Sequence, residues 1–490
     1  MPPLSSAEPS YIPDLIIEDT LRTKIVATIG PATGTMDRIH ALAELGVDVV
    51  RINMAHGTHE AHRDVIRWTR EAADMIGRPI AVLADLAGPK IRIGSLDSPV
   101  QLSEKHGVIL APENVAQGEE LPTTYPDLAR DVRKGNRILL DDGLMELRVT
   151  KVVNERVHCT VVRGGLLKEH KGMNLPGVHV SAPSLTEKDL HDLEFAIAED
   201  VDYVGLSFVQ RAEDVVDLRS RLPQGMQIIA KIEKDTALDQ LESILVATDA
   251  VMVARGDLGV ELPFEQVPLA QKRIIQLANL HGRPVITATQ MLESMIEHPR
   301  PTRAEASDVA NALFDGTDAV MLSGETAAGK YPFLAVEAMV RIASEIERSP
   351  AFDEGPKYDM PMRDRLRVGA TPTEHAIASA TVEAVRLLGA PVLVTITRTG
   401  GTARLVSSYR PPVPIIAVCD SERTRRQLAL VWGVRAVVCG DEPNYETMVS
   451  CAKTYMRSER LAQEGQRFIV TAGIPFHVAG TTNMLRVEEL

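Results

Sequence analysis

The chain has 490 residues, which exceeds what one hydrophobic core usually organises and predicts roughly three domains. Hydrophobic residues at 44% and charged residues at 24% are typical of a globular protein, and an aromatic content of 4% favours aliphatic α/β packing. The 53 basic and 67 acidic side chains give a net charge of −14, so nucleic acid and anionic membranes are not expected partners, and any anionic ligand must be held by local sites.

Residues 1–20 form a predicted N-terminal extension that contains several prolines and acidic side chains. It has no apolar stretch typical of a secretion signal, and no run elsewhere approaches the roughly 18 apolar residues of a membrane-spanning helix. Cys159, Cys419, Cys439 and Cys451 show no CxxC pair, so we expect reduced thiols with a structural role. These features predict a cytoplasmic protein.

Short runs rich in valine and isoleucine alternate with segments of helical period, which is typical of parallel strands joined by helices. Eight strands are predicted in this way: Lys24–Gly30, Val47–Asn53, Ile80–Asp85, Val201–Phe208, Gln227–Glu233, Ala250–Arg255, Pro284–Ala288 and Ala319–Ser323. Helical patterns lie between them at His59–Met75, Glu187–Ala198, Phe264–His281 and Phe333–Glu347. The pattern predicts a closed (β/α)8 TIM barrel, with an open doubly wound sheet as the alternative.

One connection of the predicted barrel is abnormal, because residues 89–181 contain no long helical pattern and are rich in glycine, proline and β-branched residues. We expect an inserted β-barrel lid domain there, above the mouth of a barrel formed by residues 21–88 and 182–350. A decorative insertion is the alternative. A linker rich in proline and acidic residues at 351–362 then leads to a predicted open α/β regulatory domain at 363–490, with strands at Pro391–Ile396, Pro414–Val418, Arg435–Cys439 and Gln466–Thr471.

Polar side chains cluster at the carboxyl ends of the predicted strands, where barrel enzymes place their active sites. They are Arg51, Asn53, His56, Asp85, Lys231, Glu233, Arg255, Asp257, Thr287, Thr289, Gln290, Ser323 and Glu325. Lys231 lies among apolar residues, so its ammonium needs either a structural ion pair or an anionic substrate. Glu233 and Asp257 could share a Mg²⁺ ion, and with Arg51, Lys231 and Arg255 they would form a set suited to phosphoryl transfer.

The stretch ARGDLGVELPFEQVPLAQKRII contains Gly256 and Gly259, which permit close approach of the backbone. A helix that begins here would direct free N–H groups at a small anion such as a carboxylate. The alternative is an ordinary turn between strand and helix, capped by Asp257.

Several strings of the chain occur in the same order in one family of enzymes. They are TKIVATIGPAT, VRINMAHG, LADLAGPKIRIG, NLPG, AKIEK, VMVARGDLGVELP, ATQMLESMIEHPRPTRAEASDVANALFDGTDAVMLSGETAAGKYP and AGTTNMLRV. From Thr23 to Arg486 the sequence resembles bacterial-type pyruvate kinases. The resemblance implies Mg²⁺- or Mn²⁺-dependent transfer of the phosphoryl group of phosphoenolpyruvate to ADP, giving pyruvate and ATP.

The resemblance also implies a role for individual residues. Arg51 would bind the substrate phosphate, Lys231 would stabilise the phosphoryl group in transfer, and Glu233 and Asp257 would hold the metal ion. The N–H groups of Gly256 and Asp257 would bind the substrate carboxylate, and Thr289 with Ser323 would help to protonate the enolate. Arg92 and Lys171 match positions that contact the nucleotide phosphates.

Many members of the family also need K⁺, held by oxygen atoms around the second and third strands. Asn53 and Asp85 match this position, but Ala55 replaces the usual serine. Leu86 stands where K⁺-dependent members commonly have threonine, and Lys90 where they commonly have glutamate. An ammonium at Lys90 could supply the positive charge internally, so we expect activity without added K⁺.

The segment after the first strand of the C-terminal domain resembles sugar-phosphate effector loops of the family. It comprises Thr397, Arg398, Thr399, Gly400, Gly401 and Thr402 and precedes a predicted helix, an arrangement that could form a phosphate nest. A phosphorylated sugar or AMP is the expected effector, and an ordinary glycine turn is the alternative. Homotetramers are usual in the family. A barrel lyase or aldolase, and an inactive metabolite sensor, are the competing hypotheses for function.

Overall fold

The structure is a computed structural model that describes residues 21–353, 372–440, 444–474 and 482–490. The predicted extension at 1–20 and the linker beyond residue 353 lie outside the described residues. Within the described ranges, none of the helices combines the length and the hydropathy that crossing a membrane requires. The four cysteines are free thiols, as the sequence predicts.

The first part of the barrel contains strands β1 (Lys24–Ile29), β2 (Val49–Asn53) and β3 (Ala81–Asp85). Helices Met36–Glu44 and His59–Ile76 connect them. The second helix is well delimited by its sequence: the Thr58 side chain accepts a hydrogen bond from the N–H of Ala61, and Gly77 adopts the left-handed conformation at the C-cap.

The insertion after β3 is almost entirely β-structure, as predicted, and its only helix is Leu128–Asp131. Its strands are β4 (Val100–Leu102), β5 (Gly107–Pro112), β6 (Leu121–Thr123), β7 (Arg137–Leu140), β8 (Met145–Val153), β9 (Arg156–Arg163), β10 (Gly165–Leu167) and β11 (Met173–Asn174). Six of them form a sheet in the order β11-β7-β8-β9-β5-β6, and β10 pairs with β4. The insertion encloses its own apolar core, which includes Leu110, Ile138, Leu147 and Val157.

The second part of the barrel contains the remaining five strands: β12 (Tyr203–Leu206), β13 (Gln227–Ile232), β14 (Ala250–Ala254), β15 (Val285–Ala288) and β16 (Ala319–Leu322). The helices of this part are Glu187–Ala198, Ala212–Arg221, Asp235–Asp239, Leu241–Ala247, Arg255–Glu261, Val267–Leu280, Arg303–Phe314, Gly324–Ala327, Pro332–Glu347 and Pro350–Asp353. Short 3-10 helices occur at Phe264–Gln266 and Glu293–Ile296. The predicted helix from Phe264 therefore begins as a 3-10 turn.

The eight parallel strands close into a barrel in chain order, which confirms the predicted fold over the open-sheet alternative. Lys24 of β1 pairs with Ala319 of β16 to close it, and Asp85 of β3 pairs with Gly205 of β12 across the insertion. Aliphatic side chains such as Val26 and Ile229 fill the interior, as expected for strands buried on both faces.

The C-terminal domain is an α/β unit around a five-stranded sheet in the order β19-β18-β17-β20-β21. Its strands are β17 (Leu393–Ile396), β18 (Ile415–Cys419), β19 (Val434–Val438), β20 (Arg467–Gly473) and β21 (Thr482–Glu489). Its helices are Thr373–Leu388, Gly401–Ser408, Glu422–Gln427 and Tyr445–Ser458, with a 3-10 helix at Leu428–Leu430. The sequence predicts four of these strands but misses β21, which pairs antiparallel with β20.

The C-terminal domain covers the amino-terminal end of the barrel. Leu430 and Ala429 pack into the apolar cluster of the barrel interior, and the hydroxyl of Tyr203 donates to the carbonyl of Gln427 at 2.6 Å. Arg410 pairs with Asp318 at 2.9 Å in a buried position at the same junction. The carboxyl end of the barrel, where the inserted domain attaches, therefore remains the end that can receive a ligand.

Candidate active site

Asp85, at the end of β3, is the shared counter-ion of the two cations at the barrel mouth. Its Oδ2 atom accepts from Arg51 Nε at 2.7 Å and lies 2.6 Å from Arg51 Nη2, and its Oδ1 atom lies 3.2 Å from Lys231 Nζ. Burial opposes ionisation of Asp85, but the charges of Lys231 and Arg51 prevail, and the pKa of its carboxyl is lowered. Asp85 is therefore ionised at neutral pH.

Lys231, on β13, has a buried ammonium group that is surrounded by acceptors. Nζ lies 3.0 Å from Oε1 of Glu233 and donates to Oγ of Ser207 at 2.7 Å. Burial acts to lower the pKa of Lys231, but Asp85 and Glu233 outweigh it, so the pKa is raised. The side chain is thus held as a cation at the centre of the mouth.

Glu233 and Asp257 follow neighbouring strands, β13 and β14, and form the acidic side of the mouth. Glu233 is buried and accepts from the N–H of Phe208 at 2.7 Å. Burial first, and then the negative charge of Asp257, raise the pKa of Glu233, so the two carboxylates are close enough to repel each other. A divalent cation between them would relieve that repulsion.

The donor set fits Mg²⁺ or Mn²⁺, because such an ion takes few protein carboxylates and completes its coordination with water and substrate oxygens. No group of three or more His, Cys, Asp or Glu side chains that could hold a metal occurs among the described residues. Glu233 and Asp257 would offer two carboxylates to such an ion, and the substrate would supply further oxygens.

The turn after β14 begins the helix Arg255–Glu261, as the sequence predicts, and it contacts the turn after β15. The N–H of Gly256 donates to Oγ1 of Thr289 at 2.7 Å. Thr289 and Gln290 both have positive φ, 63° and 54°, which is uncommon for residues with a side chain and often marks functional sites. The N–H of Gly256, which the resemblance assigns to the substrate carboxylate, therefore already donates a hydrogen bond to the hydroxyl of Thr289.

Ser323 follows β16 and has a buried Oγ atom without a hydrogen-bond partner in the described part of the chain. Its N–H donates to Oε2 of Glu325 at 2.7 Å, and Oε1 of Glu325 accepts from the N–H of Leu292 at 3.1 Å. Glu325 thus holds two turns of the mouth together, and the hydroxyl of Ser323 remains available to a bound molecule or water.

Arg255 is not brought into this cluster, which corrects its grouping with Arg51 and Lys231. Its Nη1 atom lies 2.7 Å from Oδ2 of Asp308, and Nη2 donates to the carbonyl of Thr289 at 2.8 Å. Arg255 is the first residue of its helix, and Nη2 also donates to the carbonyl of Gln290 at 3.3 Å. It supports the strained turn at Thr289 instead of contacting a ligand.

The residues that resemble a nucleotide site lie on the inserted domain. Arg92 is exposed and donates from Nη1 to the carbonyl of His170 at 3.0 Å. Nζ of Lys171 lies 2.8 Å from Oδ1 of Asp141, and this hydrogen bond raises the pKa of Lys171. Arg92 and Gly172 form an isolated antiparallel bridge, so the two cations belong to adjacent backbone segments.

The candidate K⁺ position is partly occupied by protein contacts. Oδ1 of Asn53 accepts from the N–H of Ala55 at 3.1 Å, and the carbonyl of Leu86 accepts from Oγ of Ser207 at 2.7 Å. Lys90 is exposed, and its Cε atom would lie 3.7 Å from a Cβ atom built on Gly172 of the inserted domain. None of the described carboxylates pairs with its ammonium group.

The predicted effector loop precedes the helix Gly401–Ser408, as expected. Gly400 has φ +80°, and a Cβ atom there would lie 2.7 Å from Nη1 of Arg404, so this position requires glycine. Arg398 and Thr399 are exposed, and Arg398 lies 3.5 Å from Asp420. The hydroxyl of Thr402 is 2.8 Å from that of Thr482 on β21.

Sequence reasoning missed two hydroxyl groups of the site. Oγ1 of Thr28 accepts from Arg51 at 3.0 Å, and Ser207 links Lys231 to the β3 end. Both residues lie near the carboxyl ends of barrel strands, β1 and β12. Their positions at strand ends are the sequence signal that identifies them.

A closed (β/α)8 barrel whose mouth combines a buried lysine and a half-buried arginine with a pair of acidic side chains defines an enzyme that acts on a small, strongly anionic substrate with a divalent metal ion. Comparison with known proteins specifies the family. Residues 20–336 match the family model "Pyruvate kinase, barrel domain", and residues 375–488 match "Pyruvate kinase, alpha/beta domain".

Similar proteins agree with these matches. The chain is 41% identical to the pyruvate kinase of Clostridium acetobutylicum, over 95% of this chain and 99% of that protein. It is 44% identical to that of Geobacillus stearothermophilus, over 95% of this chain and 80% of that one. The crystal structure of a pyruvate kinase from Cryptosporidium parvum superposes with a TM-score of 0.86 at 35% identity, covering 96% of each chain.

The chain belongs to the pyruvate kinase family, as its motifs indicate. It transfers the phosphoryl group of phosphoenolpyruvate to ADP in glycolysis and uses a divalent metal ion. The hypothesis of a barrel lyase or aldolase is therefore wrong.

Proposed function

We propose that Lys231 and Arg51 stabilise the phosphoryl group of phosphoenolpyruvate during its transfer to ADP. The single observation that carries this assignment is the burial of Lys231 between Asp85 and Glu233, with Arg51 on the opposite side of Asp85. Buried, fixed cations interact more strongly with developing charge than cations in water, because they need no reorganisation.

Glu233 and Asp257 would hold Mg²⁺ or Mn²⁺, which, when bound, neutralises negative charge on the substrate and the transferring group. Glu233 is fixed by Phe208 and Lys231. The residues around the ion position the substrate: Arg51 faces its phosphate, and the N–H groups of Gly256 and Asp257 face its carboxylate. For Gly256 to bind the carboxylate, the hydroxyl of Thr289 must release its 2.7 Å hydrogen bond.

After phosphoryl transfer, the enolate of pyruvate must gain a proton at its methylene carbon. Thr289 and Ser323 would deliver it, with water between them. The support is the unpartnered, buried hydroxyl of Ser323 and the exchangeable hydrogen bond of Thr289. Release of the Gly256 N–H on substrate binding would leave the Thr289 oxygen free to accept from water. The hydroxyl proton is donated to the carbonyl of Ala288 at 2.7 Å and would have to turn from there to enter the relay.

The inserted domain would act as a lid that brings Arg92 and Lys171 to the phosphates of ADP. Lys171 exchanges Asp141 for a phosphate in this proposal, a replacement of one anionic partner by another.

The exposed Lys90 would supply the positive charge that K⁺ gives to other members, so K⁺ is not required. The effector loop at residues 397–402 would bind a phosphorylated sugar or AMP. We propose a cytoplasmic homotetramer, as is usual in the family.

The experiment that tests the proposal is formation of pyruvate from phosphoenolpyruvate and ADP with Mg²⁺, in parallel with K⁺ and with tetramethylammonium. Equal rates support the kinase mechanism and the role of Lys90. A rate that requires K⁺ keeps the kinase and contradicts the role of Lys90. No rate in either buffer would support an inactive metabolite sensor.

A further inference from the structure

A buried ion pair beside the proposed metal site has no role in the mechanism described above. Nζ of Lys234 donates to Oε1 of Glu261 at 3.0 Å, with side-chain exposures of 8% and 1%. The same oxygen accepts from Nδ2 of Asn174 at 3.0 Å. Two donors from separate segments of the chain, Lys234 and Asn174, therefore converge on one oxygen of the Glu261 carboxylate.

The positions of these residues in the chain connect them to the metal ligands. Lys234 directly follows Glu233 at the end of β13. Glu261 lies four residues after Asp257 in the helix Arg255–Glu261, and residues at that spacing share a helix face. The ion pair thus joins the two separate elements that carry Glu233 and Asp257.

A purely structural function does not explain this pair well. Desolvation of two charges offsets much of their attraction, and apolar residues of similar volume commonly give equal or greater stability. In addition, Oε2 of Glu261 is buried without a hydrogen-bond partner among the described residues, which adds to the cost. The pair is better explained by its effect on the positions of the adjacent residues, Glu233 and Asp257.

Asn174 links the inserted domain to the ion pair. It ends β11, and three residues later the N–H of Gly177 donates to Oδ2 of Asp235 at 2.7 Å. Asp235 follows Lys234 directly in the sequence. The NLPG segment, residues 174–177, therefore contacts the turn after β13 and the helix Arg255–Glu261 at the same time.

We propose that Lys234, Glu261 and Asn174 are positioning residues that fix the separation of Glu233 and Asp257 and connect it to the inserted domain. Glu233 and Asp257 follow neighbouring strands, so the distance between them depends on how the turn after β13 and the helix Arg255–Glu261 are held together. The Lys234–Glu261 ion pair holds these two elements together. Because Asn174 donates to the same carboxylate, the position of Glu261 also depends on the position of the inserted domain. The inference rests on the proposed function, in that Glu233 and Asp257 are taken as the metal ligands.

The test is equilibrium binding of Mn²⁺ to the full chain without substrates, measured by electron paramagnetic resonance of the free ion. Lys234→Met is expected to weaken Mn²⁺ binding about 10- to 100-fold, the usual effect of removing an outer partner of a metal site. Lys234→Arg, which keeps the charge, should restore most of the affinity. Mn²⁺ binding within about twofold of the unchanged chain would overturn the proposal, since that is well below the usual effect.

If Lys234→Met does not fold, the double variant Lys234→Met/Glu261→Met replaces the charges by apolar groups and should preserve the fold. It is expected to bind Mn²⁺ as weakly as the single variant, and normal binding by this variant would overturn the proposal. The matched control is Lys272→Met, which removes an ammonium from another buried carboxylate of the barrel, Asp315. It should lower thermal stability and leave Mn²⁺ binding unchanged.

The role of Asn174 is tested by combining Asn174→Ala with Lys234→Met. Because both residues act through Glu261, the double variant should bind Mn²⁺ little more weakly than Lys234→Met alone, whereas additive effects would refute the link. Failure of the metal assignment itself has a different signature. In that case Glu233→Gln and Asp257→Asn would bind Mn²⁺ as the unchanged chain does.

Discussion

Arg51 and Asp85 form a two-pronged contact at the barrel mouth, with Nε and Nη2 of the guanidinium at 2.7 and 2.6 Å from one carboxylate oxygen. The other oxygen of Asp85 faces Lys231. A single buried carboxylate therefore orients both of the cations that we propose act on the phosphoryl group.

Replacement of Asp85 by asparagine should leave these two cations buried and without their shared counter-ion. We expect a loss of about 3–5 kcal/mol in the free energy of unfolding, the usual cost of breaking a buried ion pair. We also expect kcat/KM to fall at least about tenfold, since 1.4 kcal/mol of lost orientation is sufficient for that. Urea unfolding and steady-state kinetics measure the two effects.

Asp48→Asn is the matched control, because Asp48 accepts from the N–H of Ile25 at 2.9 Å and pairs with Arg78 near the opposite end of the barrel. It should reduce stability while kcat/KM stays within about twofold, a change below 0.5 kcal/mol. An Asp85→Asn enzyme with unchanged kinetics would show that Arg51 and Lys231 do not depend on this carboxylate.

Lys231→Met should remove most of kcat and leave the KM for phosphoenolpyruvate largely unchanged, because the contact that we propose for Lys231 would strengthen in the transition state. Removal of one such donor costs about 2.7–4 kcal/mol, or about 100- to 1000-fold in kcat. Lys24→Met provides a buried lysine for comparison, since Nζ of Lys24 donates to the carbonyl of Val434 at 3.1 Å, far from the mouth. An equal loss of substrate affinity in Lys231→Met would contradict the assigned role.

Most of the barrel could be predicted from the sequence because its strands are buried on both faces and read as continuous aliphatic runs. Strand β21 was missed because it is an edge strand with exposed polar residues such as Asn483 and Glu489, which give no such run. The rule that polar strand ends form the site placed Arg51, Lys231 and Glu233 together. It fixes the position of a backbone and not the direction of a side chain, which is why Arg255 was misplaced.

The double pairing of Asp85 illustrates the same limit. The sequence assigns Asp85 to the K⁺ position by resemblance, whereas its contacts with Arg51 and Lys231 depend on the register of β2, β3 and β13 around the closed barrel. Gly205 takes part in this arrangement, because a Cβ atom there would lie 2.8 Å from Oδ1 of Asp85. Such a close approach is a property of the closed barrel and has no local sequence signal.

Lys90→Glu should convert the enzyme to K⁺ dependence, because it introduces the residue common in K⁺-dependent members and removes an exposed ammonium with no carboxylate partner in the described chain. We expect the rate in tetramethylammonium to fall at least about tenfold, or 1.4 kcal/mol in the activation barrier, and K⁺ to restore it. Lys105→Glu makes the same charge change at an exposed site of the inserted domain and should have no effect. If the rate of the Lys90→Glu enzyme does not depend on K⁺, Lys90 does not take the place of a bound K⁺ ion.

Three partly buried histidines should make stability fall in mild acid. Burial is the leading cause that lowers the pKa of His62, His281 and His375 in the folded chain. The unfolded chain binds these protons near its ordinary pKa of about 6.5, and the folded chain binds them only at lower pH. The free energy of unfolding should therefore decrease as pH falls below about 6.5, as denaturant titrations at several pH values would measure.

Replacement of these three histidines by glutamine should flatten that pH dependence between about pH 5.5 and 7. The exposed His106, His191 and His298 provide a control set of the same composition. Their replacement should leave the slope unchanged. A slope that persists without the three partly buried histidines would assign it to other groups.

A negative charge in the effector loop should abolish activation by a phosphorylated metabolite. Thr399 is exposed directly before Gly400, whose positive φ aligns the loop with the helix Gly401–Ser408. Thr399→Glu places a carboxylate in the loop that would bind the phosphate. Repulsion between the two negative charges should then prevent the effector from binding. Ser450→Glu makes the same change at an exposed site of the helix Tyr445–Ser458 and should leave activation intact. The measurement is the half-saturating concentration of phosphoenolpyruvate with and without a phosphorylated hexose or AMP. If the effector shifts this concentration in the unchanged chain and in Ser450→Glu but not in Thr399→Glu, the effector binds in this loop. If the shift persists in Thr399→Glu, the loop is an ordinary glycine turn.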